Sequence, residues 1–499
     1  MKKSILWLCV ALCSISVFAD KLSKSLVPST PSQAPDYFCT WNIQGYVVSC
    51  GNASDMRSQM NERRLFSPDT LCHWADIFPR LRSDLYFVLD DTWDVPATDN
   101  RSDNPWIGRL ELDETRFPSF KGNATQRMKH LSDSIRSYGW KGLGLWICAQ
   151  QAQALPQRSQ EDYWNERLES HQQAGVRYWK VDWGREDHND AWRKMLADNA
   201  RRLAPDVLIE HAMKKEYVAF SDAYRTYDVE NIISQPVTIA RVVELLGYKA
   251  EGGAKGIINC EDEPYIAAGL GCAVGMMRHA YPGLYPSGKP DYVFPSAIRD
   301  LKRRIDEVER LLHWHRIAEP FGVNGDYAVD NVLLEDNWIV QANETWVNRE
   351  LGKPVYASAP ARVSRCMPLP EVKYVGYERP YVLASRYPNG AVALAAIGRT
   401  LGREYICKQV SVGVEIEDIT KPIGLFGPLG DVTLKADMPK KNVRVLAQDL
   451  KGDKAIDITS RVDITNAGIV VPADVIRKVG LMAATPGDLS DPAMVLRVF

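Results

Sequence analysis

Residues 178–184 read Tyr178-Trp179-Lys180-Val181-Asp182-Trp183-Gly184. Successive side chains of an extended chain point to opposite faces. Lys180 and Asp182 therefore share one face, while the bulky Trp179, Val181 and Trp183 share the other. Such a strand suits a parallel barrel, in which one face packs against helices and polar residues at the strand end reach the mouth.

The same rhythm extends to both sides of this stretch. Apolar strand-like runs occur at Phe38–Ile43, Leu85–Leu89, Gly142–Cys148, Tyr178–Val181, Val207–Ile209, Tyr224–Tyr227, Gly256–Asn259 and Ala273–Met277. Helical cues separate them at Asn123–Tyr138, Ser159–Ala174, Ala191–Leu203 and Ile239–Leu246, and a charged amphipathic stretch, Ser296–Ile317, closes the unit. Eight strands alternating with helices predict an α/β fold, a (β/α)8 TIM barrel over residues 36–320. A doubly wound sheet is the competing architecture, but no G-x-G-x-x-G follows the first strand. From Phe321 onward the runs become short and alternating: Trp338–Asn343, Lys353–Ser358, Arg379–Ser385, Ala391–Ile397, Gln409–Val414, Asn442–Ala447 and Val462–Val471. Pro, Gly, Asn and Asp punctuate them, which predicts a C-terminal antiparallel β-sandwich-like domain over residues 321–499.

Composition narrows the function. The 499 residues carry 61 Lys+Arg against 63 Asp+Glu, a net charge of −2, which disfavours a nucleic-acid or anionic-membrane partner. Apolar residues at 45 % and charged residues at 25 % exclude a largely disordered chain. Fourteen Trp and 21 Tyr are the unusual counts, and some of these rings are candidates for a binding surface. Met1-Lys2-Lys3, the apolar run Ile5–Phe18 and the small residues of Val17-Phe18-Ala19 follow the order of a secretory signal peptide. Residues 1–19 are thus expected to be removed and the protein to be secreted or periplasmic, with no membrane attachment after cleavage. Cys39, Cys50, Cys72, Cys148, Cys260, Cys272, Cys366 and Cys407 then remain, with no C-x-x-C pair to suggest zinc. Cys39 with Cys50 or Cys72 is the expected local bridge, buried free thiols being the alternative. Oligomeric state has no signature here.

Chemistry is expected at the C-terminal ends of the barrel strands. Leu85–Leu89 runs into Asp90-Asp91-Thr92-Trp93, where adjacent carboxylates accept hydrogen bonds from sugar hydroxyls and Trp93 offers a ring face. Lys180 beside Asp182 keeps the carboxylate ionised, as a nucleophile requires, the alternative being a structural ion pair. Glu210 and Arg225 are placed to hold a substrate hydroxyl, and Asp228 to supply the second carboxylate of a glycosidase pair. His211 reads as a packing residue. Glu261-Asp262-Glu263 reads as a solvated acidic loop rather than a calcium site. No metal or cofactor is called for. Serine-hydrolase and P-loop signatures are absent from the sequence.

In order along residues 38–235, these motifs resemble the clan-D glycoside hydrolases, family 27 α-galactosidases most and family 36 more distantly. Trp41-Asn42 follows strand one; Asp90-Asp91-Thr92-Trp93 is similar to the family's D-D-C-W, Lys180-Val181-Asp182 to its K-Y-D, and Arg225-Thr226-Tyr227-Asp228-Val229 to its R-x-x-x-D-I. The resemblance implies a retaining exo-glycosidase. Asp182 would be the nucleophile and Asp228 the acid and base. Asp90 and Asp91 would bind the axial 4-hydroxyl and the 6-hydroxyl of a galactose-like ring. Lys180, Glu210 and Arg225 would hold the 2- and 3-hydroxyls, and Trp41 and Trp93 would pack along the sugar.

Departures accompany the match. Asp228 lies three residues after Arg225 rather than four, leaving Asp222 and Glu230 as fallback acids. Trp183-Gly184 replaces the cysteine after the nucleophile, Ile209-Glu210-His211 stands for C-E-W, and Asn259-Cys260-Glu261-Asp262-Glu263-Pro264 replaces N-D-P-D-M. β-L-Arabinopyranose and N-acetylgalactosamine are therefore alternative sugars, and a barrel that binds glycans without cutting them is the alternative of another class.

Overall fold

The computed structural model describes residues 24–41, 43–44, 53–68, 73–226, 234–250, 257–259, 263–277, 304–339, 352–374, 376, 378–402, 404–439 and 442–499. Its first sheet contains β1 (Tyr37–Cys39), β2 (Tyr86–Leu89), β3 (Gly142–Ile147), β4 (Val176–Val181), β5 (Leu208–His211), β6 (Ala223–Arg225), β7 (Ile257–Asn259) and β8 (Gly275–Met276). All pairings are parallel, in the order β7-β6-β5-β4-β3-β2-β1-β8, so β1 sits between β8 and β2 and the strands wrap round in chain order. That is the (β/α)8 barrel expected from the strand rhythm.

Helix starts are set locally. Asn123 caps Ala124–Ser137 through a capping box with Gln126. Ser159 caps Gln160–Gln173, and Asn189 caps Asp190–Leu203, each accepting a backbone N–H of the first turn. The predicted Ser296–Ile317 helix is described as Ile305–Ile317, its earlier part lying outside the described residues. No described helix is long and apolar enough to cross a membrane.

Alternation divides the strands as read, except that Trp183, past the end of β4, packs against Trp146 and not in the main core. Leu143, Leu145, Ile147, Trp179 and Val181 join the main core between barrel and helices. Tyr37, Cys39, Trp41, Tyr86, Val88 and Tyr178 fill the interior with Met56 and Met277. Glycine makes room for these rings: a Cβ on Gly275 would come within 2.5 Å of the Tyr37 ring.

The C-terminal region departs from the expectation of purely antiparallel strands. It holds mixed sheets of eight, five and four strands. Arg362–Arg365 runs parallel to Tyr381–Arg386, Val392–Ile397 to Ile423–Phe426, and Val410–Glu415 to Leu429–Lys435. Segments between these partners carry the chain across to another strand, a route that short hairpin turns do not take. The eight-stranded sheet is buried on both faces. Leu383, Ala393, Ala395 and Phe426 join the barrel core, while Val382, Ala384, Leu394 and Leu425 pack against Val412, Val432 and Ile469 of the five-stranded sheet. Two-sided burial explains the continuous apolar run Val392–Ile397.

Candidate active site

The C-terminal ends of β1 to β6 bring the charged residues together. Asp182 follows β4 and accepts from Arg225 Nη2 at 2.9 Å through Oδ1. Its Oδ2 accepts from Trp146 Nε1 at 2.9 Å and lies 3.4 Å from Lys180 Nζ. Lys180 also donates to Asp90 Oδ2 at 2.9 Å, an oxygen that takes the Cys39 thiol as well, also at 2.9 Å. Asp91 Oδ2 accepts from Arg57 Nε at 2.7 Å, whereas its Oδ1 is buried with no hydrogen-bond partner among the described residues. Glu210, level with Lys180 in the β4–β5 register, takes the Tyr178 hydroxyl at 2.6 Å and lies 3.5 Å from Arg225 Nε.

Backbone supports fix this cluster. Arg193, from the helix Asp190–Leu203, donates to the carbonyls of Val181 and Asp182 at 3.1 and 2.8 Å, holding the end of β4. Burial pushes the Arg193 guanidinium down to about 10. Gly184 has φ 151°, and a Cβ there would sit 2.6 Å from the Ala149 backbone. Only glycine lets the chain after Asp182 lie so close to the end of β3.

The electrostatics separate the carboxylates into two kinds. Burial by itself would raise the Asp182 carboxyl, but Arg225, Lys180 and the Trp146 N–H together hold it well below the usual carboxylate range. Burial wins at Asp91, against the opposing pull of Arg57, and at Glu210, against Arg225 and Lys180; both are raised. Lys180 is held above its ordinary range because Asp90 and Asp182 outweigh its burial. Burial and then Asp90 raise Cys39, so its thiol stays protonated and can donate. Asp182 is thus a firmly ionised carboxylate among cations, the state a nucleophile needs.

Solved glycosidases have a similar structure. α-Galactosidase I from Mortierella vinacea matches with a TM-score of 0.39 and 11 % identity over 95 % of this chain and 98 % of that one. A family 27 β-L-arabinopyranosidase from Geobacillus stearothermophilus matches with a TM-score of 0.39 and 11 % identity over 93 % and 96 %. An α-galactosidase from Saccharomyces cerevisiae matches with a TM-score of 0.35 and 11 % identity over 94 % and 96 %. No protein-family model and no curated protein matches the chain.

Of the residues singled out from sequence, Asp90, Asp91, Lys180, Asp182, Glu210 and Arg225 meet in one cluster. Trp41 lies in the interior cluster with Cys39 and Met277. Trp93 is corrected: it is 0 % exposed and packs in the main core, 6.1 Å from the His171 ring. Thr92, at φ 79°, turns the chain after Asp91 and sends the indole away from the mouth, where its Nε1 donates to the Trp146 carbonyl at 2.8 Å. Glu210 is engaged with Tyr178 and Arg225, so it supports the guanidinium from the layer below Asp182.

Asp228, the expected acid, lies outside the described residues, as do Glu230, Asn42, Glu261 and Asp262. Asp222 is no fallback acid: it is out of phase with Arg225 on β6, and its carboxylate accepts the Ile209 N–H at 3.0 Å. Glu263 is buried and accepts from Gln235 at 3.0 Å, unlike a residue of a solvated loop. His211 packs between Tyr217 and Phe220, as expected. Cys39 points into the barrel as a free thiol bonded to Asp90, the buried-thiol alternative and not the bridge; Cys50 and Cys72 lie outside the described residues.

Sequence reasoning missed Trp146, Tyr178, Cys39, Arg57 and Arg193. The first three were within reach of the period-two rule. Trp146 is in phase with Gly142 and Gly144, Tyr178 with Lys180 and Asp182, and Cys39 with Tyr37. Arg57 and Arg193 come from helices outside the strands, and their reach to the site has no local signal.

Proposed function

We propose that the chain is an exported retaining exo-glycosidase that releases terminal α-D-galactose-like residues from oligo- or polysaccharides. The observation that carries this reading is the Asp182 carboxylate. It sits at the end of β4, 6 % exposed, kept ionised by Arg225 and Lys180. Asp182 attacks the anomeric carbon while Asp228 protonates the departing oxygen, giving a glycosyl–enzyme ester and a free aglycone. Asp228 then takes a proton from water, whose oxygen displaces Asp182 and regenerates both carboxyl groups. Asp228 enters through the sequence resemblance. Asp91 Oδ1, without a partner among the described residues, is an acceptor suited to a sugar hydroxyl, and Lys180 and Arg225 are donors for hydroxyls near the anomeric carbon. The near-zero net charge fits an uncharged substrate. Export follows from the basic, apolar and small-residue order of residues 1–19.

Nitrophenyl α-galactoside, β-L-arabinopyranoside and α-N-acetylgalactosaminide test the reading with wild type and Asp182→Asn. Wild type is expected to release nitrophenol from one of them, and the variant to lose at least about a thousand-fold in kcat/KM. Equal release by both proteins would overturn the nucleophile. The alternative, a barrel that binds glycans without cleaving them, draws on the fact that both Asp182 oxygens already carry donors. Calorimetric sugar binding without turnover would favour it.

A further inference from the structure

We propose that Trp146 is a positioning residue for the nucleophile: its indole N–H fixes one oxygen of Asp182 and so sets the orientation of the carboxylate. This inference rests on the glycosidase reading above. Among the described residues Asp182 has three side-chain donors, and two of them are shared. Arg225 lies between Asp182 and Glu210, and Lys180 is nearer to Asp90 at 2.9 Å than to Asp182 at 3.4 Å. Among the described residues the Trp146 N–H has Asp182 Oδ2 as its one acceptor, at 2.9 Å. When a substrate hydroxyl draws Lys180 or Arg225 away, the indole keeps its grip.

Trp146 is built to hold still. Its carbonyl takes the N–H of the fully buried Trp93 at 2.8 Å, and its ring lies 5.4 Å from that of Trp183. Val95, Ile107 and Cys148 complete the packing, with Trp106 against the edge. A ring so enclosed cannot swing without opening that cluster, so its N–H is preorganised rather than recruited. The donor is also neutral. It orients the carboxylate without adding the further positive charge that would blunt its attack.

Two substitutions separate hydrogen bonding from packing. Trp146→Phe keeps an aromatic ring and removes the N–H; Trp146→His has a ring nitrogen as many bonds from Cγ as the indole nitrogen, but gives up most of the ring surface. Expected for Trp146→Phe is a loss of about 10- to 100-fold in kcat with KM within a few-fold, and for Trp146→His a kcat above that of the Phe variant. Wild-type kcat in the Phe variant, or a His variant slower than it, would overturn the proposal in favour of packing alone. In 15N-Trp-labelled protein, the indole resonance lost in Trp146→Phe should move in Asp182→Asn; an unmoved resonance would overturn the hydrogen bond directly. If wild type cleaves no glycoside, the functional reading falls and the proposal with it, whereas an active wild type with an unaffected Phe variant sinks the positioning role alone.

Discussion

Single residues in the barrel mouth work through shared partners. Tyr178 is fully buried and its hydroxyl donates to Glu210, which in turn backs Arg225 against Asp182. Tyr178→Phe would strip one hydrogen bond from a buried carboxylate whose proton affinity burial already raises. Leaving such an acceptor unsatisfied costs about 1–3 kcal/mol, so a drop of that size in unfolding free energy is expected in urea titrations. An unchanged midpoint would mean that the Glu210 carboxyl is not held this way. Thr92 is the other residue whose conformation matters more than its contacts. Its positive φ, rare for a β-branched side chain, sends Asp91 and Trp93 into different surroundings.

A single helix carries buried ion pairs to both halves of the molecule. The helix Ile305–Ile317 lies near the starts of the barrel strands: His315 meets Asp36 just before β1 at 2.6 Å, and Arg316 meets Asp84 just before β2 at 2.5 Å. From the same helix Arg310 makes a two-pronged pair with Asp449 at 3.0 and 3.1 Å, and Asp306 takes Lys451 at 2.5 Å. Arg310 and Asp449 are both buried, so removing one strands the other's charge. Asp449→Ala should cost about 3–5 kcal/mol. The double replacement Arg310→Met/Asp449→Leu should cost much less, since no unpaired charge is left buried. Denaturant midpoints of both variants decide it, and equal losses would show that packing rather than charge governs this junction.

At the scale of the whole molecule, a buried carboxyl on the helix Ile305–Ile317 is expected to make stability depend on pH. Burial raises the Glu309 carboxyl to about 7 in spite of Arg80 at 2.6 Å. The folded state then holds a proton that the unfolded chain releases near pH 4.5, so stability from this group is full below that pH and is lost as pH rises through about 7. Glu309→Gln should remove this slope, which amounts to about 3 kcal/mol between pH 4.5 and 8. Unfolding free energies of both proteins across that range check it. Parallel curves would place the titration elsewhere.

The barrel was legible from the sequence because its signals are local. Eight apolar runs at regular spacing, and caps such as Asn123 and Ser159, act within a few residues of themselves. Lys180 and Asp182 were assigned to one face by alternation alone, and they share it. What the sequence could not tell was which distant partner each group meets. For Cys39 the sequence left a bridge and a free thiol both open, and the thiol bonds to Asp90; Trp93 was expected at a sugar and lies in the core. The parallel pairings of the β domain were equally hidden, because strand direction depends on where a crossover returns and not on the residues of the strand. Period and capping are properties of short stretches, so sequence alone determined the barrel and the faces of its strands. Only the tertiary structure decided that Arg225, Trp146 and Lys180 converge on Asp182, because that convergence is a matter of distance between β3, β4 and β6.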